Sequence, residues 1–115
     1  MSSQLTLNLL QGSVKFSFSP EAAQKLKGAL TALVASLKAI ATAKSGSGKP
    51  TSQKSTEYQY TGEVFLEVFC NPNIWPSPFA AKLLITVRDE RIRLTTEAEL
   101  TRIIEDVNLY LEENS

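Results

Sequence analysis

Leu5, Leu7 and Leu9 alternate with Thr6 and Asn8, and Val14, Phe16 and Phe18 alternate with Lys15 and Ser17. A period of two gives a strand one apolar face. Gln11-Gly12 lies between the two runs, and glycine tolerates the positive φ of a tight turn. The pattern predicts a β-hairpin over residues 4–10 and 13–18. Ser19-Pro20-Glu21 then reads as a helix start: the serine caps, proline fits the first turn and glutamate complements the dipole. Leu26, Leu30, Leu33, Val34, Leu37, Ile40 and Ala41 follow at helical spacing, which predicts a helix over residues 20–43.

The other side of that helix is rich in alanine (Ala22, Ala29, Ala32, Ala35, Ala39 and Ala43), leaving Lys25, Lys27 and Lys38 as its main charges. Alanine is a good helix former on any solvated face. Small residues also admit close approach by another helix, so this face is a candidate contact for a second copy. Residues 44–57, KSGSGKPTSQKSTE, hold no aliphatic or aromatic side chain and read as a flexible linker or disordered loop, either an idle tether or a docking segment.

Tyr58 to Cys70 reads as one long strand. Tyr58, Tyr60, Val64, Leu66, Val68 and Cys70 share one face; Gln59, Thr61, Glu63, Phe65, Glu67 and Phe69 share the other. Gly62 marks a bulge or a close backbone approach. Pro72, Pro76 and Pro78 exclude a regular element over residues 71–81. Leu83, Ile85 and Val87 define a further strand, Asp89-Glu90 a turn, and Ile92 and Leu94 the return strand, with Arg91 and Arg93 placed to meet Glu63 and Glu67 across the sheet. Thr96-Glu97-Ala98-Glu99 matches a capping box. Leu100, Ile103, Ile104, Val107 and Leu111 form the stripe of a last helix over residues 96–113. Phe16-x-Phe18-Ser-Pro-Glu-Ala echoes Ile92-x-Leu94-Thr-Thr-Glu-Ala, from a repeated strand–strand–helix unit or from generic strand-to-helix chemistry.

These elements predict a two-layer α+β fold: a mostly antiparallel sheet of four or five strands, two helices on one face, in the order β-β-α-(flexible loop)-β-β-β-α. A chain of 115 residues makes one core and one domain, 1–115, and 43% apolar with 21% charged residues is the mixture of a folded, soluble protein. The zero net charge argues against a nucleic-acid binder relying on bulk electrostatics. It conceals an asymmetry. Residues 1–57 carry seven lysines against Glu21 and Glu57, whereas residues 58–115 carry five basic and ten acidic groups. Opposite halves attract within one fold, or the basic half meets an acidic partner.

The chain has no histidine, which removes the commonest general base and metal ligand. The single cysteine, Cys70, falls on the apolar strand face with no imidazole to activate it and reads as a buried structural residue. Ser45-Gly-Ser-Gly-Lys49 lacks the first glycine of a phosphate loop, has Pro50 after the lysine and follows no strand, so it is rejected. Glu63 and Glu67, roughly 13 Å apart along a strand, are too distant to share a proton. No catalytic residue, metal or cofactor is assigned.

The segment Asn71-Pro-Asn-Ile-Trp-Pro-Ser-Pro-Phe79 holds the only tryptophan. It either covers an open end of the core or presents a stiff apolar loop to a partner. The expectation is a small non-enzymatic protein-binding module that meets a protein partner or its own copy. The candidate contacts are Ile74, Trp75, Pro76, Pro78, Phe79, Lys25, Lys27 and Lys38. Nucleic-acid binding through the basic half and the strand tyrosines ranks below it, then a histidine-free enzyme, then membrane-surface association through the lysine-bearing helix. With one cysteine, no leader pattern and no uninterrupted apolar run of ~18 residues, the expected location is cytoplasmic.

Overall fold

The structure, a computed structural model, describes residues 3–45 and 52–114. Residues 46–51, the middle of the predicted linker and part of the rejected phosphate-loop match, lie outside the described residues. Strands β1 (Gln4–Asn8) and β2 (Ser13–Ser17) form the expected hairpin. Its register pairs Leu5 with Phe16 and Leu7 with Val14, so the apolar residues of both strands share a face. Gly12 takes φ +89°, as the tight turn requires.

Helix α1 (Pro20–Ser45) starts where the sequence places it. Ser19 Oγ accepts the Ala22 N–H at 3.1 Å, and the Ser19 carbonyl accepts the Ala23 N–H at 2.9 Å. By length and composition the stretch 20–43 is apolar enough to cross a membrane, a property that a search for unbroken apolar runs does not register. In this fold Leu26, Leu33 and Leu37 of that stretch are buried in the core.

The main sheet is antiparallel, in the order β3-β4-β5-β6: β3 (Thr56–Thr61), β4 (Phe65–Cys70), β5 (Lys82–Arg88) and β6 (Arg93–Glu99). Helix α2 (Leu100–Asn114) closes the chain. One sheet face supplies Leu66, Val68, Cys70, Leu83, Ile85, Val87 and Ala98 to a single core, shared with the hairpin and both helices. The α+β class, the antiparallel pairing and the order of strands and helices agree with the sequence; the β1–β2 hairpin stands as its own two-stranded sheet.

Three finer expectations change. First, residues 58–70 fold back into two strands, β3 and β4, with the turn at Gly62. A Cβ on Gly62 would run into the Tyr60 phenol ring, so the close approach foreseen there is real. The face assignment survives the fold-back because the register pairs even with even residues, Tyr60 with Leu66 and Tyr58 with Val68.

Second, Thr96-Glu97-Ala98-Glu99 caps nothing. These residues pair with Ile85, Leu84, Leu83 and Lys82, and the helix starts at Leu100. The ladder's backbone hydrogen bonds, with Ala98 fully buried, outweigh a local cap. The echo between residues 16–22 and 92–98 is therefore not a structural repeat.

Third, Arg91 and Arg93 make no ion pair with Glu63 or Glu67. Strand β5 lies between β4 and β6. Arg93 sits opposite Arg88, Glu67 accepts a 2.8 Å hydrogen bond from Gln59, and Glu63 lies in the β3–β4 turn. Nor do the two halves bond through their charges: among the described residues the ion pairs are Arg102 with Glu105 and with Asp106, both within α2.

Candidate functional site

The proline-bearing segment leaves β4 at Cys70 and rejoins the sheet at Lys82. Apart from one 3-10 turn, Pro72–Ile74, it is irregular, as its prolines require. Its shape is held by side-chain amides. Asn71 Oδ1 accepts the Asn73 N–H at 3.0 Å and Asn73 Nδ2–H at 2.9 Å. The Asn73 carboxamide in turn grips Gln53, accepting its N–H and donating to its carbonyl, both at 2.8 Å. A side-chain amide thus acts as a short piece of strand, and the end of the predicted linker is fastened to the loop. Ser77 closes a second turn by accepting the Ala80 N–H at 3.3 Å on its hydroxyl.

The loop resolves into an inner and an outer part. Pro72 is buried, and Trp75 is half-buried against the core. Burial pushes the Cys70 thiol up to about 11, against the smaller lowering influence of the Trp75 indole, so it stays protonated and unreactive near neutral pH. Ile74 and Phe79 face outward, 67% and 83% exposed. Pro76 is exposed and Pro78 half-buried. The two alternatives for this segment therefore divide between residues: Trp75 covers the core, while Ile74 and Phe79 do not.

The candidate lysines are not at the loop. Lys27 and Lys38 line an open groove of about 420 Å³ between α1 and α2, whose apolar surface comes from Leu30, Val34, Ala35 and Ile104. Asn108 also lines this groove, and its Oδ1 is buried with no hydrogen-bond donor. Sequence reasoning counted Val34 and Ile104 as core and passed over Asn108. The available signal was its place four residues after Ile104, a polar side chain on an apolar stripe.

Lys25 occupies a different depression, of about 290 Å³, with Ser19, Glu21, Tyr58 and Tyr60. The tyrosines there are committed to packing. Tyr58 donates its hydroxyl to the Ala22 carbonyl at 3.0 Å, and Tyr60 packs edge-on against Phe18 with centroids 4.7 Å apart. Burial, reinforced by the neighbouring Tyr60, lifts the Tyr58 hydroxyl to about 12.

Two further polar features passed unnoticed in the sequence, and both are structural. Asp106, 7% exposed, accepts the Asn8 N–H at 2.7 Å and the Asn8 side-chain amide at 2.8 Å, tying α2 to the hairpin. Buried Tyr110 donates to the Phe18 carbonyl at 2.8 Å. Among the described residues, no three His, Cys, Asp or Glu side chains gather as a metal-holding group. The sheet's outer face carries half-buried Phe65, with the Arg88 guanidinium 4.4 Å from its ring centroid, and half-buried Phe69 opposite Leu84. No protein-family model, curated protein or solved structure matches the chain.

Proposed function

We propose that this chain is a non-catalytic protein-binding module that offers the loop 71–81 to a partner polypeptide. The observation that carries the reading is the exposure of Ile74 and Phe79 on a loop otherwise fixed in place. An apolar side chain of this size left in water forgoes about 1.5–3 kcal/mol of burial. The surrounding structure supports the reading. Three prolines, the Asn71–Asn73–Gln53 hydrogen bonds and the inward Trp75 hold the backbone, so little freedom remains to be lost on binding. Apolar anchors on a rigid support are the common form of an interface hot spot. The thiol next to the loop, Cys70 at the end of β4, is buried and protonated and offers it no nucleophile.

A photocrosslinking amino acid placed at Phe79, compared with one at exposed Thr95 on β6, tests the reading in native extract. The Phe79 probe is expected to capture a defined protein that the Thr95 probe does not. Ile74→Asp and Phe79→Asp should each weaken retention of that protein by about tenfold or more, the equivalent of about 1.4 kcal/mol, with an unchanged circular dichroism spectrum. Retention at the unmodified level in both variants would remove the loop from the interface.

A further inference from the structure

Strand β6 forms one edge of the main sheet. We infer that this edge is a self-association site and that its occupant is β6 of a second copy of the chain, paired antiparallel about a two-fold axis beside Leu94.

In the ladder with β5, the even-numbered residues of β6 turn their backbone groups inward. The Asp89 N–H meets the Ile92 carbonyl at 3.0 Å just before the strand, and the Leu100 N–H meets the Ala81 carbonyl at 3.1 Å just after it. Alternation then turns the N–H and C=O groups of Arg93, Thr95 and Glu97 away from β5. The Glu97 carbonyl accepts the Leu10 N–H at 3.2 Å, where the tip of the β1–β2 hairpin arrives. Among the described residues, the outward groups of Arg93 and Thr95 have no backbone partner. A row of unpaired N–H and C=O groups is a template for one more strand, so this site takes extended chain.

The strand's own pattern selects which chain. Arg93, Thr95 and Glu97 are exposed on the outer sheet face, whereas Leu94 and Thr96 are half-buried on the core side. The outer row runs from basic to acidic, and neither Arg93 nor Glu97 has an ion-pair partner among the described residues. Within its own sheet Arg93 sits opposite another cation, Arg88. A second β6 laid antiparallel reverses the order and brings base to acid at both ends of the row. Leu10 sets the register, because it occupies the Glu97 carbonyl and leaves Arg93 and Thr95 free. Pairing Arg93 with Thr95 of the second copy, and Thr95 with its Arg93, uses all of those free groups. Leu94 then faces its own counterpart in a non-hydrogen-bonded position, where side chains come closest. Arg93 meets Glu97 of the second copy on the diagonal, about 7–8 Å away and within reach of long side chains.

The exposed apolar residues fit the same register. Leu10 and Ile92, 45% and 65% exposed, flank the free edge at its two ends. Ile92 comes to stand across from Thr96 of the second copy, beside the hairpin tip that carries its Leu10. Each copy's Ile92 is thus covered by the other's Leu10. The interface is isologous, the same patch on both copies, and joins two sheets into one.

Light scattering over a range of concentration tests the pairing. The unmodified chain should approach twice its 12.6 kDa mass as concentration rises. Thr95→Pro removes an N–H that β5 does not use, so the chain should keep its circular dichroism spectrum and lose the dimer. Arg93→Glu makes both ends of the outer row acidic, and Glu97→Arg makes both basic. Each of these chains alone should be monomeric, and an equal mixture of the two should form a heterodimer. That recovery cannot come from a folding defect. Under oxidation Leu94→Cys should cross-link to its own counterpart, and Thr96→Cys, opposite Ile92, should not. An unmodified chain that stays monomeric up to about 1 mM would overturn the inference and leave the edge to a foreign strand. Self-association that survives Thr95→Pro or either charge reversal, a mixture that stays monomeric, or cross-linking through Thr96→Cys in place of Leu94→Cys would overturn it as well. None of these outcomes bears on the loop 71–81, whose test stands apart: a crosslinking probe at Thr95 should join two copies of this chain, a product distinct from the protein captured at Phe79.

Discussion

Two strand-to-helix junctions in this chain begin from related sequences, Phe-Ser-Phe-Ser-Pro-Glu-Ala at residues 16–22 and Ile-Arg-Leu-Thr-Thr-Glu-Ala at residues 92–98, and end as different structures. At the first, β2 stops at Ser17, Ser19 caps, and α1 begins at Pro20. At the second, the strand runs through Thr95, Thr96, Glu97 and Ala98 to Glu99 before α2 begins. The decisive residue is Pro20. It has no N–H to donate to a ladder, and its fixed φ suits the first helical turn. Thr96 has no such restriction, and β5 lies alongside to pair with it. β-branched threonines favour the extended state as well, and the Thr86 and Thr95 hydroxyls meet at 3.3 Å. The comparison teaches that a capping pattern is an offer to the backbone, taken up only when no neighbouring strand makes a better one.

The largest effect should come from attacking the reason the second junction stays extended. Ala98 is fully buried, and Ala98→Glu would force an unpaired charge into the core. A loss of more than about 3 kcal/mol is expected, read as a fall in the urea midpoint. If the variant kept its stability, β6 would have to be free to shift, and the account of this junction would fail.

At the first junction, Ser19→Ala should cost about 1 kcal/mol, the usual worth of a helix N-cap. The matching change at the second, Thr96→Val, should move the urea midpoint by less than about 0.5 kcal/mol equivalent, because a strand accepts valine as readily as threonine. Equal costs at the two sites would mean that Thr96 does cap a helix in solution.

Alkaline titration sharpens the same contrast. Two tyrosine hydroxyls staple the first junction, Tyr110 to the Phe18 carbonyl and Tyr58 to the Ala22 carbonyl, and among the described residues none staples the second. Burial raises both hydroxyls, Tyr58 from 10.0 to about 12, and the Cys70 thiol from 9.0 to about 11. The folded state therefore holds these protons where the unfolded chain releases them. Stability is complete below pH 9 and falls as pH rises, first through Cys70 and above pH 10 through the tyrosines. Urea midpoints measured from pH 8 to 11.5 should decline accordingly, and Tyr58→Phe should flatten the decline above pH 10. A midpoint independent of pH across this range would show that these groups are not held protonated by the fold.

The candidate surfaces divide along similar lines. The loop 71–81 was legible because three prolines forbid regular structure and a lone tryptophan among them demands a place, either inside or at an interface. That Trp75 turns in while Ile74 and Phe79 turn out was not legible, since both outcomes satisfy the same local sequence. The lysines were selected from one helix as a set. The tertiary structure separates them, Lys25 beside Tyr58 and Tyr60, Lys27 and Lys38 along the groove. Asn108 was invisible because only the packing of α2 beside α1 strips water from its Oδ1 and leaves it without a donor. Asp106 was passed over because its partner, Asn8, lies 98 residues away.

Period-two and period-3.6 patterns are local, and they were enough to determine the class of fold, the order of its elements, most of the residues that face the core and the start of α1 at Ser19-Pro20. The fold-back at Gly62, the extension of β6 over a capping motif, and the ends to which each lysine and each loop side chain is put depended on the tertiary structure. Those outcomes rest on contacts between segments distant along the chain. A backbone that can follow either of two local conformations takes the one whose hydrogen bonds and buried area the rest of the molecule completes.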